Sequence, residues 1–216
     1  MLGRGAIMLE MALPSTTAPV PLGEYVPTAD RRVVLHGVGW AGFQALLAMR
    51  GERSVPRMTY LDGTVELMGP SRHHERYKGF IGRLVEAYLL EVGISFVPYG
   101  GWMLDDESEE AAKEPDECYI LGKDQSKDRP DLAIEVVWTS GGVRTLEVYR
   151  RLGVREVWFW KNDAITVYVL GAAGYEARER SAALPELDLA LLCRLAQLTT
   201  VDEAIAELRR TLRPAV

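Results

Sequence analysis

Residues 115–138 read PDECYILGKDQSKDRPDLAIEVVW. Two runs, 116–121 and 131–138, are rich in β-branched, aliphatic and aromatic residues, and a polar loop from Gly122 to Arg129 joins them. As an antiparallel hairpin centred between Gln125 and Ser126, they bring Asp116 opposite Glu135. Opposed residues share a sheet face with Cα atoms about 4.5–5.5 Å apart. Like charges so placed repel each other, unless a cation lies between them or one carboxylate is protonated. An Asp and a Glu, with a backbone carbonyl and waters, form a hard oxygen set suited to Mg²⁺ or Mn²⁺. Such an ion polarises a phosphate oxygen and makes hydroxide available near neutral pH.

Glu135 stands out for a second reason. Leu132, Ile134 and Val136 point to one face of their strand, while Ala133, Glu135 and Val137 point to the other. The strand is apolar enough to be buried on both faces, so its acid needs a partner. Plainer readings stand beside this one. Asp116 could open a strand after Pro115, and Glu135 could be a core acid paired with an arginine. Asp131 lies four residues from Glu135, roughly 13 Å along a strand at the usual rise. It cannot share Glu135's ion and reads as structural.

Working outward, Arg57–Leu61 and Thr64–Met68 flank Asp62-Gly63, a two-residue hairpin signal. A long helix is expected over residues 71–91, with Tyr77, Phe80, Ile81, Leu84, Val85, Tyr88 and Leu89 on one buried stripe and Gly93 as its stop. A shorter helix is expected over 39–49. Residues 94–99 and 101–104 read as short strands, and the acidic stretch 105–114 as a solvated loop. Further on, a helix over 143–152, strands over 156–160 and 164–170, and a C-terminal helix capped by Thr200 complete the pattern. The sum is an α+β (mixed α/β) domain over residues 31–216, with a central sheet and a β-meander flanked by helices. Residues 1–30 hold four of the eleven prolines and read as an extended arm.

Composition bounds the answer. The chain has 216 residues, 48% hydrophobic and 26% charged, an ordinary globular balance. Two cysteines, Cys118 and Cys193, make no disulfide framework and have no metal spacing, so a reducing, cytoplasmic setting is expected. No run of 18 apolar residues exists to cross a membrane. A net charge of −6 argues against a general nucleic-acid coat protein. It leaves room for an enzyme that holds a cation between its own carboxylates and nucleic acid.

Pro115-Asp116 followed by Glu135 within Asp131-Leu-Ala-Ile-Glu-Val-Val137 resembles the PD-(D/E)XK nuclease superfamily, as does the order helix, meander, helix, strand. More closely, the chain is similar to the Uma-type restriction endonuclease family, formerly classed as a domain of unknown function. The matching stretches are residues 60–71, His74, residues 114–117, residues 129–137 and residues 147–158. The resemblance implies a restriction endonuclease-like fold and metal-dependent hydrolysis of DNA, with Asp116 and Glu135 holding Mg²⁺ or Mn²⁺. Relatives carry a lysine two residues after the glutamate or on the next helix. Here those positions are Val137 and Thr145, with Arg144 adjacent. Arginine can stabilise a pentacovalent phosphate but is a poor general base. His74 is expected at the mouth of the site, touching water or phosphate, or else as a capping or core-edge residue.

Two functions follow. One is a DNA endonuclease with Asp116, Glu135, Arg144 and His74 as its site. The other is a catalytically inactive member of the fold that binds nucleic acid or protein. A hydrolase of another phosphate ester is a third, with no motif behind it. The Pro-rich arm, the pair Trp158 and Trp160, and the C-terminal helix suggest a homodimer, although two tryptophans on one strand face also suit a core.

Overall fold

The computed structural model describes residues 29–124, 126–137 and 144–213. The arm expected over 1–30 falls outside them except for its last two residues, and so do Trp138 and Val143.

Strand β1 (Arg31–His36) leads into helix α1 (Trp40–Arg50), then the hairpin β2 (Arg57–Leu61) and β3 (Thr64–Gly69). Asp62 and Gly63 both take positive φ, 44° and 74°, the geometry that matches a tight turn to strand twist. Helix α2 (Arg72–Glu91) starts where the Ser71 side chain accepts from the His74 N–H. Strands β4 (Phe96–Tyr99), β5 (Leu104–Asp106) and β6 (Ala111–Lys113) follow, then β7 (Glu117–Leu121) and β8 (Leu132–Val136). Helix α3 (Thr145–Arg151) crosses to β9 (Glu156–Lys161), β10 (Ala164–Gly171) and β11 (Gly174–Arg178). Helices α4 (Leu189–Leu195) and α5 (Val201–Leu212) close the chain.

Among the described residues the strands form two sheets, ordered β1-β3-β2-β6-β5 and β11-β10-β9-β8-β7-β4. The larger is mixed: β8 and β9 run parallel, joined through α3, and its other pairs are antiparallel. Its two faces differ. On one, Ile134, Trp158 and Tyr119 pack under α2, α4 and α5. On the other, Cys118, Ala133 and Val157 pack with Val148 and Tyr149 of α3. The α+β class and the helix-flanked mixed sheet agree with the sequence pattern. No helix is long and apolar enough to cross a membrane among the described residues.

Two expectations need correction. The acidic stretch 105–114 is not a solvated loop. It contains the β5–β6 hairpin, with β6 paired to β2 and Ala111, Ala112, Lys113 and Glu114 all buried. Most of its acids lie on β5 and the turn at 107–110, and a three-residue strand is too short to show a period. The C-terminal helix is not a free surface, because it packs on α2 through Ala204 and Leu208. Trp158 and Trp160 are fully buried in the same core. The tryptophans therefore belong to the core, and the apolar stripe of α5 is covered by α2. Strands β1 and β11 and helix α4 are additions that the periodicity does not reveal.

Candidate active site

The β7–β8 register sets Glu117 opposite Ile134 and Cys118 opposite Ala133. Carried one residue further, it sets Asp116 opposite Glu135 on the α3 side of the sheet. Both acids are buried, at 1% and 6% exposure. Here the ladder between the two strands ends, and the Asp116 carboxylate takes over as acceptor for the Val136 N–H at 2.7 Å.

The other Asp116 oxygen is shared by Arg57, from the start of β2, and His74 Nε2, at 3.0 Å. His74 sits in the first turn of α2, and its Nδ1 faces Asp30 at 3.2 Å. Asp30 in turn accepts from the Ser71 N–H at 2.8 Å. Thus one imidazole bridges two carboxylates with no exposed surface. Burial by itself would depress its pKa. The hydrogen bonds to Asp116 and then Asp30 outweigh burial and raise it to about 9. The ring is an imidazolium at neutral pH. Burial pushes Asp116 up, but His74, Arg57 and Lys113 hold it well below the usual carboxylate range.

Glu135 is differently placed. Its Oε1 accepts from the Tyr149 hydroxyl of α3, and its Oε2 lies 3.2 Å from Lys113 Nζ of β6. Burial raises its pKa. Lys113 opposes that rise and Asp116 adds to it. The plainer reading of Glu135 gives it an arginine as partner, and the observed partners are a lysine and a tyrosine. Lys113 itself is 7% exposed and lies over the Tyr149 ring, 5.8 Å from its centroid.

Glu135 and Lys113 line a cavity of about 500 Å³ between the two sheets. Arg57, Val137, Arg144 and Thr145 line it too. The structure thus brings Asp116, Glu135, Arg57 and Lys113 together and sets Arg144 as the exposed N-cap of α3 at the rim. His74 is a correction: it lies behind Asp116, fully buried, and not at the mouth. It sits beside the helix cap and joins Asp116 to Asp30. Sequence reasoning missed Lys113, Arg57, Tyr149 and Asp30. The first two come from the smaller sheet, and no periodicity within one strand links them to Glu135. The one available signal was a lysine three residues before Asp116, inside a stretch that otherwise reads as acidic loop.

The two acids supply hard oxygen ligands. A carboxylate has about four lone-pair positions. Asp116 gives three to His74, Arg57 and Val136, and Glu135 gives two to Tyr149 and Lys113. Each keeps acceptor capacity, so the donor set suits a small divalent cation. Among the described residues no group of three or more acidic, histidine or cysteine side chains could hold a metal, so an ion here would complete its shell with backbone oxygen, water or phosphate.

Comparison with known proteins follows this geometry. No curated protein matches the chain. A crystal structure of a "putative nuclease belonging to DUF820" from Anabaena variabilis ATCC 29413 is similar at 13% identity and a TM-score of 0.46, covering 79% of this chain and 99% of that one. A family model described as "Putative restriction endonuclease" matches residues 40–200. The match takes in both acids, Lys113 and most of the two sheets, and the chain belongs to the Uma2 family.

Proposed function

We propose that the protein is a metal-dependent endonuclease that hydrolyses DNA phosphodiester bonds at Asp116 and Glu135. The observation that carries this reading is the meeting of two buried acids beside two cations, with Glu135, Arg57 and Lys113 at the wall of a cavity and Asp116 directly behind. Burying like charges together is costly unless the site uses them. Asp116 and Glu135 would hold Mg²⁺ or Mn²⁺, which supplies charge neutralisation and an acidified water when bound.

The chain's own residues do the rest. His74, Arg57 and the Val136 N–H hold the Asp116 carboxylate in one orientation. Tyr149 and Lys113 do the same for Glu135. Lys113 Nζ also lies where a phosphate beside Glu135 would gain negative charge as water attacks phosphorus. An ammonium fixed there stabilises that charge without reorganisation. Lys113, from the other sheet, thereby offers the cation that Val137 and Thr145 do not. The P–O ester bond breaks as the water oxygen bonds to phosphorus, and the departing alkoxide takes up a proton. Arg144 at the rim is suited to a flanking phosphate. The two free cysteines fit a cytoplasmic setting.

A second reading is an inactive member of the fold. It is favoured by Val137 and Thr145, and by the cation each acid already has. Melting with and without Mn²⁺ separates the two. The nuclease reading expects a Mn²⁺-dependent rise in melting temperature that Asp116→Asn abolishes. It also expects Mn²⁺-dependent DNA cleavage that Glu135→Gln and Lys113→Met each remove. Absence of both the shift and cleavage supports the inactive reading.

A further inference from the structure

We infer that a second hollow, beside the first, is an anion subsite that holds the DNA backbone phosphate next to the one under attack. This rests on the nuclease reading and names a further binding site for the same substrate. The hollow measures about 330 Å³. Arg57 and Glu114 line both it and the cavity at Glu135, so the two share a wall, and Pro115, the residue before Asp116, lines the second. Its charged lining is four cations, Arg50, Arg53, Arg57 and Lys78, against two acids, Glu52 and Glu114. Arg50 Nη1 holds Glu114 at 2.5 Å, so that pair cancels. The excess is positive within a chain of net charge −6, and a concave surface of one sign gathers ligands of the other. The phosphates of one DNA strand follow each other closely, at about 3.4 Å of helix rise per nucleotide. With one phosphate at Glu135, its neighbour is the group at hand for a hollow across Arg57.

Two of the cations are available to such a ligand. Lys78, half-buried on α2, lies 4.0 Å from Glu75 and 3.9 Å from Glu117. Both distances are too long for hydrogen bonds, so its ammonium has no acceptor at bonding range among the described residues. Arg53 follows the end of α1. Its Nε donates to the Arg50 carbonyl at 2.9 Å and its Nη2 to the Met49 carbonyl at 2.8 Å. These bonds cover the negative end of the helix and fix the guanidinium, while its Nη1 takes no acceptor among the described residues. A fork held in advance loses less freedom when it binds phosphate. Part of the wall is bare main chain, at Gly100 and Gly101. Gly101 has a φ of 85°, and a Cβ there would meet nothing within 4 Å, so open space lies where a side chain would project. The donors thus come from the end of α1, the start of β2 and the face of α2. A phosphate, with acceptor oxygens on several sides, can bond to all of them at once.

The test reads binding apart from cleavage. A labelled DNA duplex of about 20 base pairs is titrated with the full-length protein in EDTA at several salt concentrations, and fluorescence anisotropy is followed. Lys78→Gln and Arg53→Gln are each expected to weaken binding about 3- to 10-fold and to reduce the slope of log K against log salt by roughly 1, the mark of one lost phosphate contact. Lys78→Gln removes no hydrogen bond, so it keeps the fold even if Arg53→Gln loosens the end of α1. Arg178→Gln, at an exposed cation on β11, the edge of the larger sheet opposite β4, should change neither affinity nor slope. Inorganic phosphate at matched ionic strength is the second probe, read by melting temperature. If the two variants lose its protection yet bind DNA as wild type does, the hollow takes free phosphate and the inference is overturned. Affinity and slope unchanged in both variants, or an equal loss in Arg178→Gln, overturn it too, and Mn²⁺-dependent cleavage by wild type then leaves the nuclease reading standing. Absence of both DNA binding and cleavage overturns both.

Discussion

Glu135 and Glu156 are buried acids on adjacent parallel strands, yet they are built in opposite ways. Glu156, 2% exposed, accepts from Trp158 Nε1 at 2.6 Å, from the Ser181 hydroxyl, and from the Ala182 and Ala183 N–H groups at 2.8 and 2.9 Å. Its four acceptor positions are all taken by neutral donors, and it ties β9 to the segment that leads into α4. Glu135 points to the other face, into a cavity, with a lysine and a tyrosine as donors and acceptor capacity left over. A carboxylate saturated by fixed donors is a structural clamp. One left partly unsatisfied beside a cavity and a second acid is available to a ligand.

Four experiments sharpen or break this contrast. The largest effect is expected from Glu156→Ala, which leaves four donors without their acceptor, two of them, on Trp158 and Ser181, buried. With about 1–3 kcal/mol for each buried donor left unsatisfied it should cost roughly 2–6 kcal/mol and lower the melting temperature by roughly 10 °C, while folded protein in the cold keeps its DNA cleavage. A loss of cleavage without a loss of stability would reverse the roles of the two acids. Next comes Glu135→Gln. It should reduce Mn²⁺-dependent cleavage about 10²- to 10³-fold, the loss seen when one transition-state electrostatic contact is removed, with a melting temperature unchanged or higher. Smaller is Ser181→Ala, which removes one donor to Glu156 and the acceptor for the Leu184 N–H. It should cost about 2 kcal/mol in a denaturant titration and leave cleavage intact.

The smallest effect is one of slope. Burial raises the Glu135 pKa above its ordinary value of 4.5, with Lys113 opposing. A carboxyl with a raised folded pKa binds its proton more tightly in the native state than in the unfolded one. Its contribution to stability is present in full below pH 4.5 and is lost as pH rises through the folded value. Metal-free melting curves of wild type and Glu135→Gln should therefore converge near pH 4. At pH 7 the variant should be the more stable. Parallel curves at all pH values would show that Glu135 is as well satisfied as Glu156.

The sequence exposed some of this contrast and hid the rest. Local signals were legible. Asp62-Gly63 marked the β2–β3 hairpin, the apolar stripe and Ser71 marked α2, and the loop between 122 and 129 was short enough to set the β7–β8 register and so the Asp116–Glu135 pairing. Glu156 drew no notice, because an acid opening a strand is common and its donors at 181–183 lie far along the chain. The β5–β6 hairpin was misread because its acids suggested solvent. His74 was legible as a helix-cap residue, but the Asp30 carboxylate that holds its other nitrogen comes from beyond β1.

What the sequence determined by itself is therefore the part governed by neighbours in the chain: turn chemistry, helix period, and two acids brought opposite each other by one short loop. Only the tertiary structure decided what surrounds those acids. Lys113 and Arg57 reach them from a different sheet, and the cavity is a gap between two sheets that local pattern cannot encode. The physical reason is range. Backbone conformation and register follow from contacts a few residues apart, whereas the field on a buried carboxylate is set by whichever charges the packed fold places within a few ångströms.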